Sequence, residues 1–235
     1  MLQLCPNGIR RPAEHPGLPT TPTAVAADVA ACAGLGIADV HVHPKDADGA
    51  DTVAPERVAA FVEAARATAP GLTVGVTTGE WAAPGPAEMV AAIRAWSVRP
   101  DHASVNWHET GADDVAAALL DQGVAVHAGL FTDADGIDRF LASPVANRVA
   151  RILVEVSEDD PDAGLRSAET LLARLTHVDV PILLHGMDAT CWPVLSRAVQ
   201  LGLDTRIGLE DTLVGPDGRS VTGNVDLVRL ALAVY

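Results

Sequence analysis

Only three cysteines occur in this sequence, Cys5, Cys32 and Cys191; the number is odd, and no two of them stand in a Cys-x-x-Cys spacing. Neither a disulfide framework nor a cysteine-built zinc site is therefore indicated, and a reducing compartment fits. Lysine is scarcer still, with Lys45 alone against fifteen arginines. Positive charge is short overall: sixteen basic residues face thirty-one acidic ones, for a formal net charge of -15 at pH 7. Such a balance argues against nucleic acid or an anionic membrane as a partner. No apolar run approaches the roughly 20 residues of a membrane span, and the amino terminus lacks the order of an export signal, so a cytoplasmic protein is expected. There is no Gly-x-Gly-x-x-Gly, no Walker loop and no Gly-x-Ser-x-Gly elbow, so hydride transfer, nucleotide hydrolysis and serine hydrolysis all lack their usual marks.

What is present is a steady alternation of short apolar runs with alanine-rich amphipathic stretches, in a chain whose residues are 49% hydrophobic. Strands are expected at Leu2–Cys5, Leu35–Val40, Leu72–Thr77, Ala103–Trp107, Val124–His127, Ala150–Val156, Val180–Leu184 and Arg206–Leu209. Between them the helical period predicts Thr23–Ala33, Pro55–Ala69, Pro86–Trp96, Asp113–Leu120, Asp135–Leu141, Ala163–Leu175, Trp192–Leu201 and Val225–Val234. Thr21-Pro22 reads as a helix cap with proline in the first turn. Eight strand–helix pairs in about 250 residues are the expectation for an α/β fold of the (β/α)8, or TIM-barrel, type, as a single domain over residues 1–235. An open doubly wound sheet has the same element order and is the alternative.

In such a barrel the chemistry lies at the carboxyl ends of the strands. The residues expected there are polar almost throughout: Asn7; His41 and His43; Thr77, Thr78 and Glu80; Asn106, His108 and Glu109; His127; Glu155 and Ser157; His185; and Glu210 with Asp211. Five of the eight histidines belong to this set. His41 and His43, two apart at a strand end, face one side of the sheet and suit a shared cation such as zinc. The competing reading is a pair of polar histidines that merely alternate. Of the adjacent carboxylates Glu210 and Asp211, one suits a cation and the other a base. Arg206 is read either as a strand-start ion-pair partner or as a catalytic group. His127 and His185 divide between ligand contact and a supporting role. Trp81 and Trp107 are placed to pack the core or to wall an apolar pocket.

These residues resemble the β-keto acid cleavage enzymes, a family of zinc-dependent (β/α)8 proteins related to 3-keto-5-aminohexanoate cleavage enzyme. The matching segments are Pro6 to Arg11, His15-Pro16 with Pro19 and Thr20 to Pro22, His41-Val42-His43 with Asp46 and Gly49, Thr77-Thr78-Gly79, and Arg206-Ile207-Gly208-Leu209-Glu210-Asp211 followed by Asn224. The resemblance implies Zn²⁺ held by His41, His43 and Glu210, with Asp211 as catalytic base and Arg206 as its polar partner. It implies condensation of a β-keto acid with acetyl-CoA, giving acetoacetate and a new acyl-CoA. Substrate contact is expected of Thr77, Thr78, Glu80, Trp81, Asn106, His108, His127 and His185, of which the resemblance places Glu80, Trp81, His108 and His127 at the substrate pocket. The chain departs from the family pattern at Lys45, where arginine is common, at Glu80-Trp81 in place of Gly-Ser, at His108 and Glu109, and at His127, where glutamate is frequent. A homo-oligomer binding a small β-keto acid, and a CoA thioester with it, is the expectation. Two other readings are a metal-dependent hydrolase of the amidohydrolase kind, using His127 and His185 at the metal, and a metal-binding barrel without activity.

Overall fold

The structure is a computed structural model and describes residues 1–234. Its eight strands are β1 Leu2–Leu4, β2 Asp39–Val42, β3 Thr73–Thr77, β4 His102–Asn106, β5 Ala125–Phe131, β6 Arg151–Val156, β7 Ile182–Gly186 and β8 Thr205–Ile207. The helices that follow them in turn are α1 Pro22–Ala33, α2 Pro55–Arg66, α3 Pro86–Ala95, α4 Ala112–Asp121, α5 Gly136–Ala142, α6 Pro161–Arg174, α7 Cys191–Gln200 and α8 Asn224–Leu232. All strand pairs are parallel, in the order β7-β6-β5-β4-β3-β2-β1-β8. Pairing of the first strand with the last excludes a doubly wound sheet. The ring is nearly closed, because β7 and β8 touch through a bridge between Leu183 and Asp204, backed by a hydrogen bond from Thr205 Oγ1 to the Leu184 carbonyl at 2.8 Å. This is a TIM barrel. Among the described residues no helix is long and apolar enough to cross a membrane.

Helix starts follow from local chemistry. Four helices begin on proline, whose missing N–H costs nothing in a first turn. Thr21 and Asp160 cap α1 and α6 by accepting from Ala24 N and Ala163 N. The apolar core lies between the strands and the helices. Val40, Val42, Val74 and Val76 point outward onto helix residues such as Val58, Phe61 and Val62, all buried.

Two strands differ from expectation in ways that bear on the site. The apolar run Leu35 to Ala38 is not strand. Leu35 N and Ile37 N both donate to the Cys32 carbonyl, and Gly36 adopts φ +98°, so the run turns off the end of α1. The strand is Asp39–Val42, and His41 lies within it. β5 runs four residues past His127, through Gly129 to Phe131. Gly129 is no strand terminator; a Cβ there would meet Asn106 Oδ1 at 2.3 Å, so β4 and β5 pass closely only because it is glycine.

The barrel interior is polar at its floor and at its mouth, with Leu153 and Leu183 on the same face between them. At the floor, the amino-terminal end of the strands, Asp39 accepts from His102 Nε2 at 2.8 Å, Gln3 Nε2 and Thr73 Oγ1 at 3.0 Å each, and Arg151 Nη1 at 3.1 Å. Burial alone would raise the Asp39 carboxyl, but the hydrogen bond and charge from His102 outweigh it and hold it below the usual range. His127 stacks on His102 with ring centroids 4.0 Å apart.

Candidate active site

The mouth of the barrel is assembled by backbone clamps from the first and last segments of the chain. Asn7 accepts from His43 N at 3.0 Å and donates to the His43 carbonyl at 2.9 Å, fixing both peptide groups of that residue. Asn224 accepts from Leu209 N at 2.8 Å and donates to the Pro6 carbonyl at 3.0 Å. Gly8, at φ +55°, leaves the space that Glu210 occupies; a Cβ there would lie 2.4 Å from Glu210 Cγ. Lys45 is fully buried and donates to the Gly8 carbonyl and to Asp51 Oδ1, each at 2.5 Å, and to the Arg10 carbonyl at 3.3 Å. The one lysine is thus a bolt between loops.

These clamps bring His41, His43 and Glu210 together, with one ligand atom of each within 4.8 Å of the others. The two imidazole planes stand at 84° with centroids 5.2 Å apart. Asp51 takes the Nδ1 side of His43 at 2.7 Å, which leaves Nε2 facing Glu210 Oε2 at 3.7 Å. Arg206 reaches Glu210 Oε1 through Nη2 at 2.9 Å and Asp211 Oδ1 through Nε at 2.9 Å. Glu210 Oε2 and Asp211 Oδ2 are buried without a hydrogen-bond partner. Burial drives the His41 imidazole down to about 3, so it is neutral. Burial works against ionised Glu210, yet Arg206 and then the two histidines outweigh it and lower the carboxyl to about 2. For Asp211 burial wins over Arg206, with Glu210 and Glu155 adding repulsion, and the carboxyl rises to about 8. The imidazoles of His41 and His43 and an ionised carboxylate with an orphaned oxygen form a donor set that fits a divalent ion with an open position. No histidine or carboxylate beyond these three joins the cluster among the described residues.

The space at this cluster is a cup of about 50 Å³, lined also by Thr77, Asn106, Phe131, Glu155 and Trp81. Beside it, between β3, β4 and the starts of α3 and α4, lies a larger cavity of about 400 Å³, reached by Thr78, Glu80, Trp81, Met89 and Glu109. Thr77, Asn106 and Trp81 thus face the cup, and Thr78 and Glu80 face the outer cavity, Thr78 with its hydroxyl donated to the Ser104 carbonyl at 2.6 Å. Glu109 accepts from Asn106 Nδ2 at 2.8 Å and Glu80 N at 3.0 Å, and burial lifts its carboxyl to about 7.

Three residues expected at substrate stand elsewhere. His127 is three places into a seven-residue strand and stacked on His102, and it does not line the cup. Burial, with His102 and Arg151 nearby, holds its imidazole well below the ordinary value. His108 packs edge-on against Phe131, centroids 4.6 Å apart, so Phe131 stands between it and the cup. His185 is buried behind the cup, 3.4 Å from Glu155 Oε2 and 3.8 Å from Asp211 Oδ1. Sequence reasoning missed Phe131, because β5 was expected to stop short of it, and Asp51, one of several acidic residues in the loop after β2 with nothing in its spacing to single it out.

The model of the beta-keto acid cleavage enzyme family matches residues 1–152 and 161–235. Comparison with the curated proteins gives no match. Among solved structures the fold is similar to 3-dehydroquinate dehydratase from Geobacillus kaustophilus HTA426, at 15% identity and TM-score 0.61, covering 98% of this chain and 90% of that one. The 3-dehydroquinate dehydratase from Aquifex aeolicus VF5 is similar at 14% identity and TM-score 0.60, over 100% and 99% of the two chains. At these identities the likeness is one of fold.

Proposed function

Because this chain belongs to the beta-keto acid cleavage enzyme family, we propose that it is a zinc-dependent enzyme that condenses a β-keto acid with acetyl-CoA, giving acetoacetate and a new acyl-CoA. The observation that carries the reading is the convergence of His41, His43 and Glu210, from opposite ends of the sequence, at the barrel mouth beside Arg206 and Asp211. When bound, the ion supplies Lewis-acid polarisation of the keto and carboxylate oxygens of the substrate.

The chain's own groups do the rest. Arg206 fixes the orientation of both carboxylates: it occupies one oxygen of Glu210 and one of Asp211, so each has a single oxygen left to act. Asp211 is fully buried, and with its carboxyl near 8 it is poised to take or return a proton at Oδ2 around neutral pH. Thr77 and Asn106 supply polar atoms at the wall for the substrate's oxygens, while Glu80 and Trp81, at the boundary with the outer cavity, select its tail. His127, His108 and His185 are given supporting roles.

The test is elemental analysis of purified protein together with a panel of β-keto acids assayed with and without acetyl-CoA. One zinc per chain and acetoacetate formed only when both substrates are present are expected. Metal-free protein, or turnover indifferent to acetyl-CoA, removes the corresponding half of the proposal. The amidohydrolase reading requires His127 and His185 at the metal, and the positions of both argue against it.

A further inference from the structure

The cup is too small for the substrate that the proposed reaction requires. A cavity of about 50 Å³ is roughly one eighth the size of the 400 Å³ cavity beside it. A β-keto carboxylate has at least seven non-hydrogen atoms, so a wall must move, and the walls differ in how firmly they are held. Thr77, Asn106, Glu155 and Arg206 belong to buried strands. Trp81 does not: it lies on a short 3₁₀ turn over Glu80–Ala82, is 44% exposed, and separates the cup from the 400 Å³ cavity.

Two contacts hold the Trp81 ring in place. Its six-membered edge lies flat over Gly79, where a Cβ would come within 2.4 Å of the ring. Its indole Nε1 donates to Asp51 Oδ2 at 2.7 Å. That same oxygen is 2.7 Å from His43 Nδ1, and the other oxygen of Asp51 accepts from Lys45. Trp81 and His43 rings stack at 20°, centroids 6.4 Å apart. One buried carboxylate therefore holds both a candidate metal ligand and the residue that covers it.

The geometry points to Asp51 as a positioning residue that couples His43 to a movable cover, Trp81: the indole latched on Asp51 closes the cup, and release of the latch joins the cup to the outer cavity so that head and tail of the substrate seat together. A partner carboxylate on the far nitrogen of a histidine ligand orients the ring and sharpens its affinity for the ion. Opening then loosens the same carboxylate that steadies the ligand. This inference rests on the metal site proposed above, but its latch is judged separately.

The experiment uses the full chain with three measurements: zinc affinity by chelator competition, the rate of zinc release to excess chelator, and acrylamide quenching of tryptophan fluorescence. The other tryptophans, Trp96, Trp107 and Trp192, are buried, so quenching reports Trp81. Asp51→Asn is expected to weaken zinc binding 10- to 100-fold and to raise the quenching of Trp81. Trp81→Phe, which keeps a ring but loses the N–H, is expected to release zinc at least tenfold faster than wild type. Unchanged quenching in Asp51→Asn overturns the latch, and wild-type release from Trp81→Phe overturns the cover. Should circular dichroism show that Asp51→Asn is unfolded, Asp51→Glu, which keeps the charge but moves the carboxylate out of register with Trp81 Nε1 and His43 Nδ1, takes its place in both comparisons, with the same results expected and the same results overturning the latch. Quenching is compared on metal-free protein too, so absence of zinc from the wild type defeats the proposed function while the latch is still decided.

Discussion

His43 Nε2 and Glu210 Oε2 stand 3.7 Å apart, beyond a hydrogen bond and near the roughly 3.4 Å that separates two ligands of one tetrahedral zinc. His41→Ala and Glu210→Ala are each expected to bring zinc content from one per chain to near zero, as read by elemental analysis. Acid is expected to strip the ion from the wild type as the imidazoles take protons in competition with it. A full complement of metal in either variant removes the site.

Asp211→Asn is expected to retain zinc and to lose turnover by a factor on the order of 10² to 10⁴, the range of a general acid–base group. Steady-state kinetics on the metal-loaded variant decide it; a rate near wild type takes the proton-transfer role away from this residue.

Exchanging Glu80-Trp81 for Ala-Gly widens the boundary between the cup and the outer cavity. Larger β-keto acids are expected to gain kcat/KM relative to small ones, measured as a ratio across the panel. A ratio that does not move assigns selection to other residues.

Glu109 supplies a pH signature away from the metal cluster. Its carboxyl is raised from 4.5 to about 7 by burial, so the neutral form is the one the fold favours. Its contribution is fully present below pH 4.5 and is lost as pH rises through 7, at most about 3 kcal/mol over that window. Chemical denaturation at pH 5 and pH 8 is expected to show this fall in the wild type and a smaller one in Glu109→Gln.

At the floor, Asp39→Ala removes the carboxylate shared by Arg151 and His102, and leaves Arg151 with Asp204 alone, 3.2 Å away. A destabilisation of about 3–5 kcal/mol is expected, read as a lower denaturation midpoint, with the ranking of substrates unchanged. A shift in that ranking would tie the floor to substrate.

Alternation of apolar runs with helical periods makes the barrel legible in the sequence, helped by the prolines and caps that open several of the helices. The candidate metal cluster is legible for a different reason: a His-x-His strand and a Glu-Asp pair are chemical signals that survive without coordinates. Depth within the barrel is not legible. His127 reads as a strand-end residue in the sequence, and only the near collision with Asn106 explains why Gly129, two places on, sits mid-strand. Asp51 is hidden for a related reason, since its meaning comes from His43 and Lys45 of its own loop and Trp81 of another meeting one carboxylate.

Gly208 passes so near Cys5 that a Cβ would sit 1.8 Å from the Cys5 carbonyl oxygen, an oxygen that also accepts from Glu210 N. The acid that completes the cluster is thereby tethered to the opening strand, with nearly the whole polypeptide synthesised in between. A growing chain displays both imidazoles long before it owns their third companion, so, on the function proposed above, tight capture of an ion would mark the moment the ring has come round on itself. Metal added during refolding should then act late, rewarding finished molecules rather than guiding unfinished ones.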